Sequence, residues 1–291
     1  MSWDFGATKR LVGMGAMAVL MAFMAACTTT STSSTGGVPT GNAVSGTSGS
    51  NSTSDSKDRV TASDESDASK RARVRLELAS AYFGRGQMTT ALDEVKLAIA
   101  ADPNMVAAFN LRGLIYANLG DERLAEESFR HALQLNARDA DTMQNYGWYL
   151  CQQKRYPEAD SMFRQALAVP QYRDVPRTLL TQGVCLARAG ELGQAEGTLI
   201  KSYELDPTNP ATAINLSEVL FRRGDFERAR FYVRRVNINP NLSNAQTLWL
   251  AARIEQRLGN RQGAQDLGTQ IKDRFPQSRE AVAFEQGKFD E

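Results

Sequence analysis

The chain has 291 residues, with 34 basic and 33 acidic side chains and a single histidine. Nucleic-acid binding requires a concentrated basic surface, so this charge balance argues against such a partner. The sequence contains no phosphate-binding loop, metal-ligand motif or nucleophile elbow, and it therefore predicts no catalysis, no cofactor and no small-molecule substrate. The histidine, His131, is expected to face solvent without the partners that a base or a metal ligand needs.

The chain begins with the organisation of a lipoprotein signal peptide, residues 1–26. A basic pair precedes an apolar stretch that ends in small residues directly before Cys27. This stretch is too short, and has the wrong flanking residues, for a stable membrane span. It resembles a bacterial lipobox and predicts a covalent lipid at Cys27. The alternative is an ordinary signal peptide that is cleaved near Ala26.

Residues 27–69 are predicted to form an acylated N terminus and a disordered tether. They are rich in Ser, Thr, Gly, Asn and Asp, and such a segment cannot bury enough apolar surface to fold. As a flexible coil, about 42 residues would span on the order of 35 Å. In enteric bacteria an aspartate after the cysteine tends to retain lipoproteins at the inner membrane. Thr28 stands in that place, so we expect lipid anchoring at the periplasmic face of the outer membrane.

Residues 70–291 contain a six-fold internal repeat. A step near 34 residues is the length of one helix-turn-helix unit that must stack on copies of itself. The pattern resembles the tetratricopeptide repeat. It predicts an all-α, right-handed α-solenoid of six tetratricopeptide repeats with a C-terminal capping helix at 277–288, and a non-repetitive helical bundle is the alternative. The alanines that define the repeat, called the ladder alanines below, recur at steps of 34 to 36 residues and are Ala91, Ala125, Ala159, Ala195, Ala229 and Ala264.

Other positions keep the same register. Five residues before each ladder alanine lies a turn residue, which is glycine in every copy except the third, where it is Lys154. Seven residues before the turn lies a small residue, and four residues after the ladder alanine lies a large apolar one in most copies. The sixth copy departs twice, with Glu255 at a position that is large and apolar elsewhere and with Gly268 at another.

Cys151 and Cys185 fall on the predicted first helices of repeats three and four, which are neighbours in a solenoid. A disulfide is therefore geometrically possible, and it suits an oxidising periplasm. Closing a loop of 34 residues would stabilise the fold by about 3–4 kcal/mol in the chain-entropy model. Two buried thiols that act as small apolar residues are the alternative.

The first helices are expected to line a concave groove that binds a partner. Its apolar residues and scattered amides suit an amphipathic helix or an extended peptide. The alternative for Leu76, Phe83 and Phe221 is that they only seal the stack. The groove lacks the Lys and Asn set with which cochaperones bind a C-terminal carboxylate. The predicted partner-binding residues are Leu76, Ser80, Phe83, Asn110, Leu114, Ala117, Gln144, Trp148, Gln152, Leu180, Val184, Arg188, Ile214, Glu218 and Phe221.

Repeat five contains a cluster of arginines. One interpretation is a solvated face that Asp225 and Glu227 partly balance, and the other is a contact patch for an acidic partner. The members of this cluster are Arg222, Arg223, Arg228, Arg230, Arg234 and Arg235.

Segments 145–153, 170–172 and 183–187 resemble the PilF/PilW family of type IV pilus biogenesis lipoproteins. Together with six repeats and a lipobox, this resemblance covers nearly the whole mature chain, although the Ser/Thr-rich tether is unusually long. It implies a pilotin-like or pilus-stabilising role, in which the acylated protein helps the secretin subunit, or another pilus assembly protein, reach and assemble in the outer membrane. The alternative is a general periplasmic adaptor lipoprotein that brings a protease or a peptidoglycan enzyme to its substrates.

Overall fold

The computed structural model describes residues 66–289, which form thirteen α-helices and no strand. The predicted signal peptide, Cys27 and nearly all of the tether lie outside the described residues. The helices are α1 (Asp67–Gly84), α2 (Met88–Ala101), α3 (Val106–Leu119), α4 (Glu122–Leu135), α5 (Ala140–Gln152), α6 (Tyr156–Leu167), α7 (Val175–Ala189), α8 (Leu192–Leu205), α9 (Pro210–Arg222), α10 (Phe226–Asn237), α11 (Ala245–Arg257), α12 (Arg261–Arg274) and α13 (Arg279–Glu285).

The helices pair in chain order into six repeats, from α1 with α2 to α11 with α12. The short helix α13 packs against both helices of repeat six and lies inside the span predicted for a capping helix. The tetratricopeptide-type helical fold predicted from the sequence is thus confirmed. Each first helix also touches the first helix of the next repeat, whereas α2, α4, α6, α8, α10 and α12 do not touch one another. The first helices therefore line one side of the stack, which we call the inner face.

Each repeat reverses direction at a residue with a left-handed backbone. In five repeats this residue is glycine, with φ between 75° and 90°. In repeat three it is Lys154, with φ of 60°. A side chain in this region brings its Cβ close to the following carbonyl oxygen, which is why glycine is preferred. The turns predicted from the sequence are all present, including the exception.

The core of each repeat depends on a small residue of the first helix facing a large one of the second. All six ladder alanines are at most 1% exposed. A Cβ added to Gly113 would lie 2.7 Å from the Phe129 ring, and one added to Gly183 would lie 2.6 Å from Leu199. These distances are well below van der Waals contact between carbon atoms. Large second-helix side chains therefore fill the space that the glycines leave.

The two departures in repeat six have separate structural reasons. Glu255 is only 3% exposed, and its carboxylate accepts hydrogen bonds from Arg234 at 2.6 Å and from Asn260 at 2.8 Å. A buried carboxylate requires such partners because it has lost its hydration. Gly268 faces the ring of Phe284 from α13, which occupies the space where a side chain would lie. The capping helix thus supplies the apolar group that repeat six lacks at this position.

Candidate protein-binding surface

Cys151 of α5 and Cys185 of α7 form a disulfide between the first helices of repeats three and four. Their Cα atoms are 5.8 Å apart, and the residues are 1% and 3% exposed. The bond lies in the core together with Tyr146, Leu150 and Phe163. It links the two repeats that are separated by the longest step along the chain.

A second cross-link, between repeats two and three, is electrostatic and centres on Glu126 of α4. Its carboxylate accepts hydrogen bonds from Arg130 at 2.6 Å, from Arg155 at 2.9 Å and from the Tyr146 hydroxyl at 2.9 Å. Burial alone would raise the pKa of Glu126, but the hydrogen bonds from Arg155 and Tyr146 and the nearby arginine charges outweigh it and lower the pKa. The middle of the stack is therefore held by one covalent and one ionic link.

The fifteen predicted groove residues all lie on first helices, but they differ in accessibility. Ser80 and Gln152 are exposed, and most of the others are partly buried. Gln144 and Phe221 are buried, at 5% and 8% exposure, so they offer little surface to a partner. Phe221 is covered because arginine side chains from repeat six lie over its ring. For this residue the structure favours the alternative that it seals the stack.

In repeats one to three, the inner face is largely apolar. Leu76 and Phe83 of α1 are partly buried against the core that repeats one and two share. Leu114, Ala117 and Trp148 pack in the same way against the core of repeats two and three. The amide of Asn110 is already engaged, since its oxygen accepts a hydrogen bond from the Asn145 side chain at 3.1 Å.

In repeats four to six, the inner face carries arginines. The Arg188 guanidinium lies 4.8 Å from the centre of the Trp148 ring, and that of Arg253 lies 4.5 Å from the centre of the Phe221 ring. Arg222 donates to the Ala187 carbonyl at 3.0 Å. Arg188 is a groove residue predicted from the sequence, whereas Arg222 and Arg253 were not predicted to lie in the groove. The repeat register could have found Arg222, because it lies 34 residues after Arg188 at the matching position.

Glu218 is a carboxylate on this part of the inner face. It makes no hydrogen bond or ion pair with any described residue. Burial raises its pKa, and the attraction of Arg253 and Arg222 only partly offsets that effect. Ionised Glu218 is therefore disfavoured relative to an ordinary exposed glutamate.

Most arginines of the repeat-five cluster lie elsewhere and are paired. Arg228 binds Glu196 at 2.7 Å, and Arg223 binds the same carboxylate. Arg230 pairs with Glu227, which the sequence analysis expected, and with Glu255, which it did not. Glu196 and Glu255 belong to neighbouring repeats, so local sequence could not reveal them as partners. These ion pairs support the interpretation of a balanced, solvated face rather than a contact patch.

His131 faces solvent only in part, which is less than the sequence predicts. Its ring is partly buried and lies 4.2 Å, centre to centre, from the ring of Phe109, because α4 packs this side against α3. Between residues 66 and 289, no group of three or more His, Cys, Asp or Glu side chains is placed to hold a metal ion. None of the helices in that range is long and apolar enough to span a bilayer.

The chain is similar in sequence and structure to proteins of type IV pilus biogenesis. Residues 106–139 and 140–169 each match the tetratricopeptide repeat family. The type IV pilus assembly protein PilF of Pseudomonas aeruginosa is 27% identical over 213 residues, which cover 73% of this chain and 84% of that protein. A crystal structure described as PilW, a widely conserved type IV pilus biogenesis factor, is 30% identical with a TM-score of 0.69, over 73% of this chain and 97% of that one. The structure of Pseudomonas aeruginosa PilF gives a TM-score of 0.65 at 25% identity, over 76% and 100% of the two chains.

Proposed function

Because this chain belongs to the PilF/PilW family of tetratricopeptide-repeat proteins, we propose that it is a lipid-anchored, pilotin-like scaffold of type IV pilus biogenesis. The observation that carries this proposal is the match to PilW, which extends over 97% of that chain and 73% of this one. A helical repeat stack without a catalytic constellation acts by binding other proteins. The proposed role is therefore that of a protein-binding component of the pilus system.

In the proposed mechanism, the N terminus of the mature protein anchors it to the membrane and the repeats bind the partner. The lipid on Cys27 fixes the protein to the periplasmic face of the outer membrane, since several acyl chains hold far more firmly than one. The tether lets the repeats search the adjacent space, and the inner face recognises a segment of the secretin subunit or of another pilus assembly protein. Binding near the membrane raises the local concentration of subunits there and so favours their assembly.

Replacing the acylated cysteine tests this proposal. Cys27→Ser removes the lipid, so we expect the protein to leave the outer-membrane fraction and secretin multimers or surface pili to decline. Thr28→Ser is the matched control, because it alters the neighbouring residue and keeps the cysteine. Thr28→Asp is expected to retain the protein at the inner membrane, which separates anchoring from anchoring at the correct membrane. Normal secretin multimers and pili with Cys27→Ser, at wild-type protein level, would contradict the proposal.

The partner is identified by cross-linking in whole cells and recovery from envelope extracts. Recovery of the secretin, dependent on the inner face but not on the ion-paired arginines of repeat five, supports the pilotin-like role. Recovery of a protease or a peptidoglycan enzyme instead would favour the general adaptor.

A further inference from the structure

Three arginines of the inner face form a row in repeats four to six, which we call the inner arginine row. The side chain of each contacts the first helix of the preceding repeat. Arg188 of α7 lies over Trp148 of α5, Arg222 of α9 donates to the last turn of α7, and Arg253 of α11 lies over Phe221 of α9. Their described contacts place them on the inner face rather than between the two helices of a repeat.

The three row arginines differ from four nearby arginines, which form ion pairs. Arg223, Arg228, Arg230 and Arg234 each form an ion pair with a carboxylate. None of the three row arginines has a carboxylate of the described residues within ion-pair distance, and their contacts are aromatic rings and carbonyl oxygens. Among the described residues, the carboxyl group that acts on the row is Glu218, which attracts Arg253 and Arg222 but whose pKa is raised by burial, so the row keeps an excess of positive charge.

The geometry of these contacts also leaves the row able to bind. A guanidinium whose face lies on an aromatic ring keeps its N–H groups free at the edge of its plane. These N–H groups can still donate hydrogen bonds to both oxygens of a carboxylate. Arg253 uses its Nε to donate to the Phe289 carbonyl at 3.2 Å, and its terminal nitrogens donate no hydrogen bond to the described part of the chain. Because ring and backbone contacts hold these side chains, a ligand loses less side-chain entropy when it binds them.

The chemistry around the row decides which anion fits. Leu180, Val184 and Ile214 lie on the same first helices and are only partly buried, so apolar surface alternates with the positive charge. Glu218, whose carboxyl group is attracted by Arg253 and Arg222, is itself partly buried. Neighbouring helices pack about 8–10 Å apart and an extended chain advances about 3.3 Å per residue, so carboxylates about three residues apart would meet Arg188 and Arg222, which occupy matching repeat positions. Arg253 lies about one helical turn before the matching position of α11, so the segment would cross the helices obliquely to reach it.

We propose that the inner face of repeats four to six binds an acidic protein segment, extended and with apolar residues between its carboxylates, through Arg188, Arg222 and Arg253. The proposal rests on the function above and deepens it, because it names the chemistry that the pilus partner presents. A surface on which apolar and cationic side chains alternate suits a peptide whose side chains alternate in the same way.

The test uses the full chain, purified in detergent, and a fluorescent peptide of repeating Ser-Glu-Leu sequence. Fluorescence anisotropy should show binding that weakens with salt, and a matched peptide with Gln in place of Glu should bind far more weakly. Arg188→Gln, Arg222→Gln and Arg253→Gln should each weaken binding about tenfold, the loss expected for one charge-assisted hydrogen bond. Arg223→Gln is the matched control, because it removes an arginine that adjoins the row but pairs with Glu196.

Circular dichroism and thermal melting of each variant separate loss of binding from loss of fold, and Arg222→Lys should retain part of the affinity. Equal affinity for the Glu and Gln peptides, or equal effects of the row and control variants, would overturn the proposal. So would row-dependent binding to phosphatidylglycerol vesicles in the absence of peptide binding. Normal pili with Cys27→Ser would remove the pilus role and leave the peptide result standing, so the two failures are distinguishable.

Discussion

Reduction of the bond between Cys151 and Cys185 should destabilise the repeats measurably. The bond closes a loop with a sequence separation of 34 residues. In the chain-entropy model, such a loop restricts the unfolded chain enough to contribute about 4 kcal/mol at 25 °C. For a domain of this size, each kcal/mol shifts the melting temperature by about 2–4 °C, so loss of the bond should lower it by about 8–15 °C.

The assay is thermal melting followed by far-ultraviolet circular dichroism, with and without dithiothreitol. The wild-type protein should melt lower in reductant. The double variant with Cys151→Ser and Cys185→Ser should melt near the reduced protein and should not respond to reductant. Thiol titration under denaturing conditions reports whether the starting protein is oxidised. If the oxidised wild type melts at the same temperature in both conditions, the loop-entropy reasoning is refuted.

Three further predictions follow from local geometry. Gly183→Ala should lower the free energy of unfolding by about 1–3 kcal/mol in urea denaturation, because the added Cβ would meet Leu199. Gly197→Ala is the control, because this glycine lies on the adjacent helix with open space around it. It should be neutral or stabilising by up to about 1 kcal/mol. Lys154→Gly should stabilise by about 1 kcal/mol by the same measurement, since φ of 60° is strained only for a residue with a side chain, and no gain would contradict this. The folded-state pKa of Glu126 is lowered, so the stabilisation that its carboxylate provides is present above its unfolded pKa and is lost as pH falls through the folded pKa. In urea denaturation, the free energy of unfolding of Glu126→Gln should therefore decline less than that of the wild type below pH about 4.5. Parallel curves for the two proteins would count against the ionic cross-link.

Much of the fold is predictable from the sequence because each repeat is specified by residues that lie close together along the chain. A turn residue, a ladder alanine and a large partner must recur at fixed spacing for one helix pair to pack on the next. This spacing predicted the six pairs, the turns and the capping helix. The inner face was predictable only in outline. Periodicity says which positions face inward, but it does not say that Phe221 lies beneath the arginines of the next repeat.

Pairings between repeats were outside the reach of sequence reasoning. Arg228 is 32 residues from Glu196, and Arg234 is 21 residues from Glu255, so their proximity depends on how adjacent repeats stack. The same holds for His131, which was expected in solvent and packs on Phe109. A side chain that reaches beyond its own helix pair has its environment set by residues far away along the chain.

The sequence by itself determined the architecture, because helix periodicity and turn chemistry act within a few residues. It also determined the composition of the first-helix face, including the arginines at matching positions of repeats four and five. Only the tertiary structure decided which of those arginines are neutralised, since an ion pair requires a carboxylate within about 4 Å and that partner comes from another repeat. Within the described residues, the stack supplies a carboxylate to Arg223 and Arg228, and it supplies aromatic rings or a carbonyl oxygen to Arg188, Arg222 and Arg253.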